Sequence, residues 1–111
     1  MSAALLIIDM QVGLFHGPEK PHDGDRVLAN IQHLIRQARQ QHVPIYAVRH
    51  TGPAGSPIAA GSPLWQLLPT LEVDEELDCV LDKTRPSCFV GTGLAERLQE
   101  AQVNELVIVG M

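Results

Sequence analysis

Basic residues, cysteines and long apolar runs are all scarce in this sequence, and each shortage removes a class of function. Eight Lys and Arg stand against thirteen Asp and Glu, a formal charge of −5. No basic stripe is available to neutralise phosphates, so neither nucleic acid nor an anionic membrane is an expected partner. A small-molecule substrate or a further subunit is. The apolar run Ala3 to Ile8 is too short to cross a bilayer, has no Lys or Arg before it, and ends in Asp9 rather than at a cleavage site; the expected location is cytoplasmic. The only cysteines, Cys79 and Cys88, lack C-x-x-C spacing and a nearby His pair, so they read as reduced thiols rather than zinc ligands. No metal and no other cofactor is expected. Low-complexity sequence is missing as well. With 45% apolar and 19% charged residues the chain has the composition of a core-forming globular protein, and its 111 residues suffice for a single domain, 1–111.

What is present alternates between two periodicities. Ala4 to Ile8, closed by Asp9, is a continuous apolar run, as expected of a strand covered on both faces. From Asp25, read as an N-cap, apolar residues recur at Val27, Leu28, Ile31, Leu34, Ile35 and Ala38, one stripe at helical spacing. Pro44 disfavours helical geometry at Val43, which stops that helix near His42, and Ile45 to Val48 reads as a second strand. Thr51 to Pro63, interrupted by Gly52, Pro53, Gly55, Pro57 and Gly61, reads as a long loop, followed by a short helical turn over Leu64 to Leu68 and an acidic, solvated stretch from Glu72 to Asp78. Cys79 to Leu81 gives a third strand, Thr92 caps a helix carrying Leu94, Ala95 and Leu98, and Leu106 to Val109 gives a fourth strand ending in Gly110.

Buried strands alternating with amphipathic helices predict an α/β fold, a three-layer α-β-α sandwich around a mostly parallel, Rossmann-like sheet. Four strands are few for such a sheet, and the sequence stops where a helix ought to cover the last one. The domain therefore reads as incomplete, truncated at its C-terminal end. A 111-residue polypeptide on its own is expected to be unstable or to associate through the face at Leu106 to Val109.

In sheets of this kind ligands bind outside the carboxyl ends of the strands. Asp9 closes the first strand, His50 follows the second and Lys83 follows the third, so three polar residues distant in sequence are expected at one edge. Position alone leaves open that Asp9 merely caps a loop.

Several stretches together narrow the reading: Leu6-Ile-Ile-Asp-Met-Gln11 with Phe15 beyond; Gly61-Ser-Pro-Leu-Trp65 with Leu68-Pro69; Asp82-Lys-Thr-Arg-Pro-Ser-Cys-Phe89 leading into Gly91-Thr-Gly-Leu94; and Leu106-Val-Ile-Val-Gly-Met111. In order and spacing they resemble the isochorismatase-like cysteine hydrolase family, over essentially the whole chain. The resemblance implies a catalytic triad of an Asp ending the first strand, a Lys following the third and a Cys on the turn after the fourth. Asp9 and Lys83 match the first two members, and the third is expected beyond Gly110-Met111, next to a non-proline cis peptide. It also implies pocket lining by Phe15, whereas Trp65 reads equally as pocket lining or as core. A homo-oligomer is the expected assembly.

The chemistry of such a triad is clear. The thiolate is the nucleophilic form of cysteine, and a nearby ammonium such as that of Lys83 favours it; a carboxylate such as Asp9 can accept the thiol proton and later activate water against a thioester. The expected activity is thus hydrolysis of a small-molecule amide or related C–N bond through a thioester in the full-length protein. Alternatives are an isochorismatase-type vinyl-ether hydrolase, a metal-dependent nicotinamidase, or a non-catalytic binding or signalling domain. The single His50 is a poor basis for a metal site and reads as a loop or substrate-contact residue, and Met10 and Gln11 stand where a receiver domain would carry a second acid. Cys79 reads as a buried strand residue and Cys88 as a packing residue. Arg85 reads as a surface partner of the acidic stretch; His16, His22, His33 and His42 carry no motif.

Overall fold

In a computed structural model, which describes residues 2–15 and 23–110, the chain forms β1 (Ala3–Ile8), α1 (Val12–Phe15), α2 (Gly24–Gln40), β2 (Ile45–His50), two 3-10 turns (Pro63–Trp65 and Pro69–Leu71), β3 (Cys79–Lys83), α3 (Leu94–Glu100) and β4 (Glu105–Gly110). His16, His22 and Met111 lie outside the described residues. The strands make one parallel sheet in the order β3-β2-β1-β4. Its order turns at β1, with β2 on one side and β4 on the other.

Side-chain alternation along the central strands divides the core in two. Leu5, Ile7, Ile45 and Ala47 face α2, packing with Ile31, Ile35, Ala38 and the loop residues Leu68 and Leu71. Ala4, Leu6, Tyr46 and Val48 face the other way and pack with Leu94 and Leu98 of α3, with Leu81 and with Cys88. A strand buried on both faces cannot alternate apolar with polar, which is why β1 is written as an unbroken apolar run. Helices therefore cover both faces of the sheet, as an α-β-α sandwich requires. Among the described residues coverage is poorest over β4, where Val107 and Ile108 are 43% and 57% exposed.

Local chemistry shifts several boundaries. Helix α2 is capped at Asp23, whose φ is 52° and whose carbonyl accepts from the Val27 N–H at 3.0 Å. Asp25 instead occupies the first turn, where the helix dipole favours a negative charge. At the other end His42 takes a φ of 57° and the Val43 N–H donates to the Ala38 carbonyl at 2.8 Å. Helix α3 ends in the same way, with Gln102 at φ 59° and the Val103 N–H bonded to the Leu98 carbonyl at 2.9 Å. Both are six-to-one closures made without glycine. Thr92 does serve the start of α3, its Oγ1 accepting from the Leu94 N–H at 3.2 Å, although Gly93 is the boundary residue.

The turn expected over 64–68 is replaced by two separate 3-10 turns, each opened by a proline at its first position, Pro63 and Pro69. The short α1 was not anticipated. It packs on the first of these turns, so closely that a Cβ at Gly13 would stand 2.8 Å from Leu64 Cβ. Among the described residues no helix is long and apolar enough to cross a membrane.

Candidate active site

At the carboxyl edge of the sheet the backbone of Asp9 turns sharply, with φ at 60°. Its N–H still completes the ladder to the Val48 carbonyl at 3.0 Å, while its own carbonyl accepts from the Gln11 N–H at 2.9 Å. Asp is among the few non-glycine residues that occupy this left-handed region at modest cost, and strain of this kind concentrates at functional positions.

Lys83, the last residue of β3, is only 4% exposed and reaches past β2 to place Nζ 3.3 Å from Asp9 Oδ2. The two strands lie on either side of β2, roughly 10 Å apart at ordinary strand spacing, a span that the length of a lysine closes and that few other side chains could. Nζ also donates to the Pro86 carbonyl at 3.2 Å. The other carboxylate oxygen, Asp9 Oδ1, is buried without a hydrogen-bond partner among the described residues. Removing both charges from water costs about as much as their attraction returns, so the pair is a weak device for stability and a strong one for fixing charge at a site.

Gln11, fully buried, is the residue that sequence reasoning missed. Its Nε2 donates to the carbonyls of His50 at 3.0 Å and Trp65 at 2.8 Å, and its Oε1 accepts from the His50 N–H at 2.7 Å. One amide thus ties the ends of β1 and β2 to the 3-10 turn bearing Trp65. The available signal was a polar residue embedded between the apolar Met10 and Val12. His50, in register with Lys83, has its main chain held on both sides by Gln11, while its ring Nδ1 is buried without a partner among the described residues.

Trp65 is half-buried; its indole N–H donates to Thr51 Oγ1 at 3.0 Å and its ring lies 3.7 Å from the Arg49 guanidinium carbon. Arg49 in turn donates to both carboxylate oxygens of Asp82, at 2.8 and 3.2 Å. Phe15, 5% exposed, belongs to the core cluster on the α2 face with Met10, Leu68 and Leu71.

Arg85 is exposed and has no partner among the described residues, contrary to the expected pairing with the acidic stretch. That stretch is taken by arginines of α2 and β2 instead: Glu72 by Arg36 at 3.2 Å, Asp78 by Arg39 at 2.7 Å and Glu75 by Arg49 at 3.8 Å. Asp78, 4% exposed, is accordingly no part of a solvated surface. Cys79 is half-buried. Cys88 is buried in the α3-face core, where burial pushes its thiol above the usual range, the Lys83 ammonium pulling against it and Asp9 adding to it.

Among the described residues no group of three or more His, Cys, Asp or Glu side chains is arranged to hold a metal ion. A cavity of about 370 Å³ lined by Pro44, Tyr46, Leu77, Cys79 and Arg97 lies at the opposite, amino-terminal edge, away from the Asp9–Lys83 pair.

The isochorismatase domain family matches residues 3–111. A streptothricin hydrolase of Streptomyces noursei is 32% identical over 108 residues, 97% of this chain and 42% of that protein. The crystal structure of an isochorismatase from Pseudomonas putida KT2440 superposes with a TM-score of 0.89 at 38% identity, covering 98% of this chain and 56% of that one. An N-carbamoylsarcosine amidase from Thermoplasma acidophilum, at 21% identity and the same TM-score of 0.89 over 99% of this chain and 68% of its own, shares the fold. The chain spans about two fifths of the streptothricin hydrolase and little more than half of the Pseudomonas protein.

Proposed function

Since the chain belongs to the isochorismatase family, we propose that it supplies the Asp–Lys half of a cysteine hydrolase site, acting in the full-length protein on an amide or related C–N bond of a small molecule. The observation that carries this reading is the Asp9–Lys83 pair, 3.3 Å apart at the carboxyl edge, with Asp9 Oδ1 unpartnered among the described residues. A carboxylate serving as a base needs one oxygen free to take a proton, and here Oδ2 faces the ammonium while Oδ1 is unengaged.

The sheet order adds support. Gly110 lies opposite Ile8 in the β1–β4 ladder, so a residue following β4 emerges beside Asp9, on the side of β1 away from β2. A cysteine on that turn, as the family resemblance expects, would stand next to its base. In the proposed reaction Asp9 takes the thiol proton and the sulfur attacks the carbonyl carbon. The C–N bond then breaks as the proton passes to the departing nitrogen. Water, deprotonated by Asp9, afterwards cleaves the thioester to release the acid. Lys83 stabilises the thiolate electrostatically. The likeness to a streptothricin hydrolase supports a hydrolytic reaction, and the likeness to an isochorismatase keeps the vinyl-ether alternative as the competing substrate.

The test is turnover by the full-length protein of small amides, N-carbamoyl amino acids and lactams against isochorismate. Asp9→Asn, which keeps the shape and tolerates the left-handed backbone, and Lys83→Ala are each expected to lower kcat/KM by roughly 100- to 10,000-fold, with the fold retained by circular dichroism. Full activity in both variants would remove these two residues from the chemistry. Preference for isochorismate would replace the amide reading.

A further inference from the structure

The ladder between β1 and β2 stops before β2 does. Its last pair is Ile8 with Val48, closed by the Asp9 N–H on the Val48 carbonyl at 3.0 Å. The ladder between β2 and β3 runs on to His50 and Lys83, and the Thr51 N–H then donates to the Lys83 carbonyl at 2.7 Å. In a parallel sheet the N–H and carbonyl of one residue point to the same side, and those of the next residue to the other. Val48 bonds toward β1 and Thr51 toward β3, so both main-chain groups of His50 point toward β1. No strand residue stands opposite them among the described residues, because Asp9, at φ 60°, has already turned the chain out of the sheet.

The side-chain amide of Gln11 takes the place of the missing peptide group. Its Oε1 accepts from the His50 N–H at 2.7 Å and its Nε2 donates to the His50 carbonyl at 3.0 Å. The opposite orientation of the amide would set N–H against N–H, so the network itself fixes which atom is which. Gln11 is 0% exposed, and peptide groups at such depth are costly to leave unpaired. Its main chain holds Asp9 as well, the Gln11 N–H donating to the Asp9 carbonyl at 2.9 Å; a non-glycine residue keeps a left-handed backbone only where its surroundings impose it. A closed circuit results. It runs from Asp9 through Gln11 to His50, across the ladder to Lys83, and back from Lys83 Nζ to Asp9 Oδ2 at 3.3 Å.

We propose that Gln11 is a positioning residue for the Asp9–Lys83 pair: by standing in for β1 opposite His50, it sets the spacing at which the lysine at the end of β3 meets the aspartate at the end of β1. The inference rests on the hydrolase reading of that pair. Without the amide the end of β2 is held from the β3 side alone, and Lys83 drifts with it relative to Asp9. Misplacement of reacting groups by about 1 Å costs on the order of 100-fold in rate. Substrate affinity depends on Gln11 less. The turn bearing Trp65, which receives the second Nε2 hydrogen bond at 2.8 Å, is also held by the Val12 N–H on the Gln66 carbonyl, the Leu68 N–H on the Met10 carbonyl and the indole N–H on Thr51.

The test uses the full-length protein and whichever small substrate it turns over. Gln11→Met keeps the length of the side chain and removes its hydrogen bonds; Gln11→Glu keeps the shape and, as a carboxylate, removes both donors. Each is expected to lower kcat by roughly 10- to 100-fold while KM changes less than about threefold, near the worth of one hydrogen bond. Arg39→Ala, which breaks the buried contact with Asp78 far from the site, serves as the control for lost stability and should leave kcat within about twofold of wild type, as expected of a distant, independent site. In an Asp9→Asn background, adding Gln11→Met should cost less than about threefold further, since a residue that acts through Asp9 has little left to position. A kcat near wild type in a folded Gln11 variant overturns the proposal, as does a loss no greater than that of Arg39→Ala. A full multiplicative loss on top of Asp9→Asn overturns it too, and so does failure of both Gln11 variants to fold, which would make Gln11 a folding residue. Retained activity in Asp9→Asn would instead strike at the reading of the Asp9–Lys83 pair, so the two failures are separable.

Discussion

Asp9 and Gly110 show how single residues set the terms of the site. Asp9 carries a left-handed backbone that turns the chain out of β1, and across the ladder Gly110, with φ 135°, passes so close to the Ile8 carbonyl that any Cβ would overlap it. Only glycine permits β1 and β4 to approach at the place where a nucleophile is expected to emerge. Cys88 illustrates the opposite case, a thiol near the site that burial makes inert. Its neutral form is favoured in the folded state, so at pH 8 its alkylation by iodoacetamide should be roughly tenfold or more slower than in urea, read by peptide mass mapping. The stability gained by burying the neutral thiol is fully present below the ordinary thiol pKa and is lost as the pH rises through the raised folded value. Cys88→Ala should therefore flatten the alkaline limb of the melting-temperature profile. Rapid native labelling of Cys88 would contradict its assignment to the core.

At the level of elements, α2 anchors the connection between β2 and β3 through two arginines one turn apart that differ sharply in worth. Arg39 donates to both oxygens of Asp78, at 2.9 and 2.7 Å, and to the Glu72 carbonyl at 2.8 Å. Asp78 is buried and also accepts from the Asp74 N–H at 2.8 Å. The hydrogen bond with Asp78 is the main reason the Arg39 guanidinium is held even more firmly in its charged form. Arg36 pairs with Glu72 in solvent, the two side chains being 60% and 49% exposed. Arg39→Ala strands a buried carboxylate and should cost about 3 kcal/mol, whereas Arg36→Ala should cost about 0.5 kcal/mol, both measured by urea denaturation. Equal losses would refute the burial argument. The same contrast explains why the acidic stretch from Glu72 to Asp78 resists being read as surface. Charge is visible in a sequence, but whether an acid is solvated or clamped depends on which arginine the fold brings to it.

For the molecule as a whole, β4 is the least covered part of the sheet, and on both faces, since Val107 lies opposite Leu5 of the α2-face core and Ile108 opposite Leu6 of the α3-face core. Val107 and Ile108 of β4 remain open, and a polypeptide of residues 1–111 expressed alone is expected to self-associate, as sedimentation velocity would detect; a monomer with a cooperative melt would disprove this. The parallel strands and the two amphipathic helices were legible in the sequence because burial on two faces forces unbroken apolar runs, and burial on one face forces a helical stripe. The edge on which Asp9, His50 and Lys83 meet was legible too, since strands that all run one way bring their carboxyl ends together. Pro44 also announced the end of α2 near His42, but the start of that helix was not legible, since Asp23 rather than Asp25 caps it, nor was the end of α3, whose left-handed closure at Gln102 uses no glycine to announce it. Nor was the division of roles at the site. Which oxygen of Asp9 faces Lys83, that Gln11 grips His50 and Trp65, and that Arg49 stacks on Trp65 are contacts between residues 16 to 74 positions apart in the chain. Periodicity specifies which face a residue occupies, and only the packed tertiary structure decides which partner meets it there.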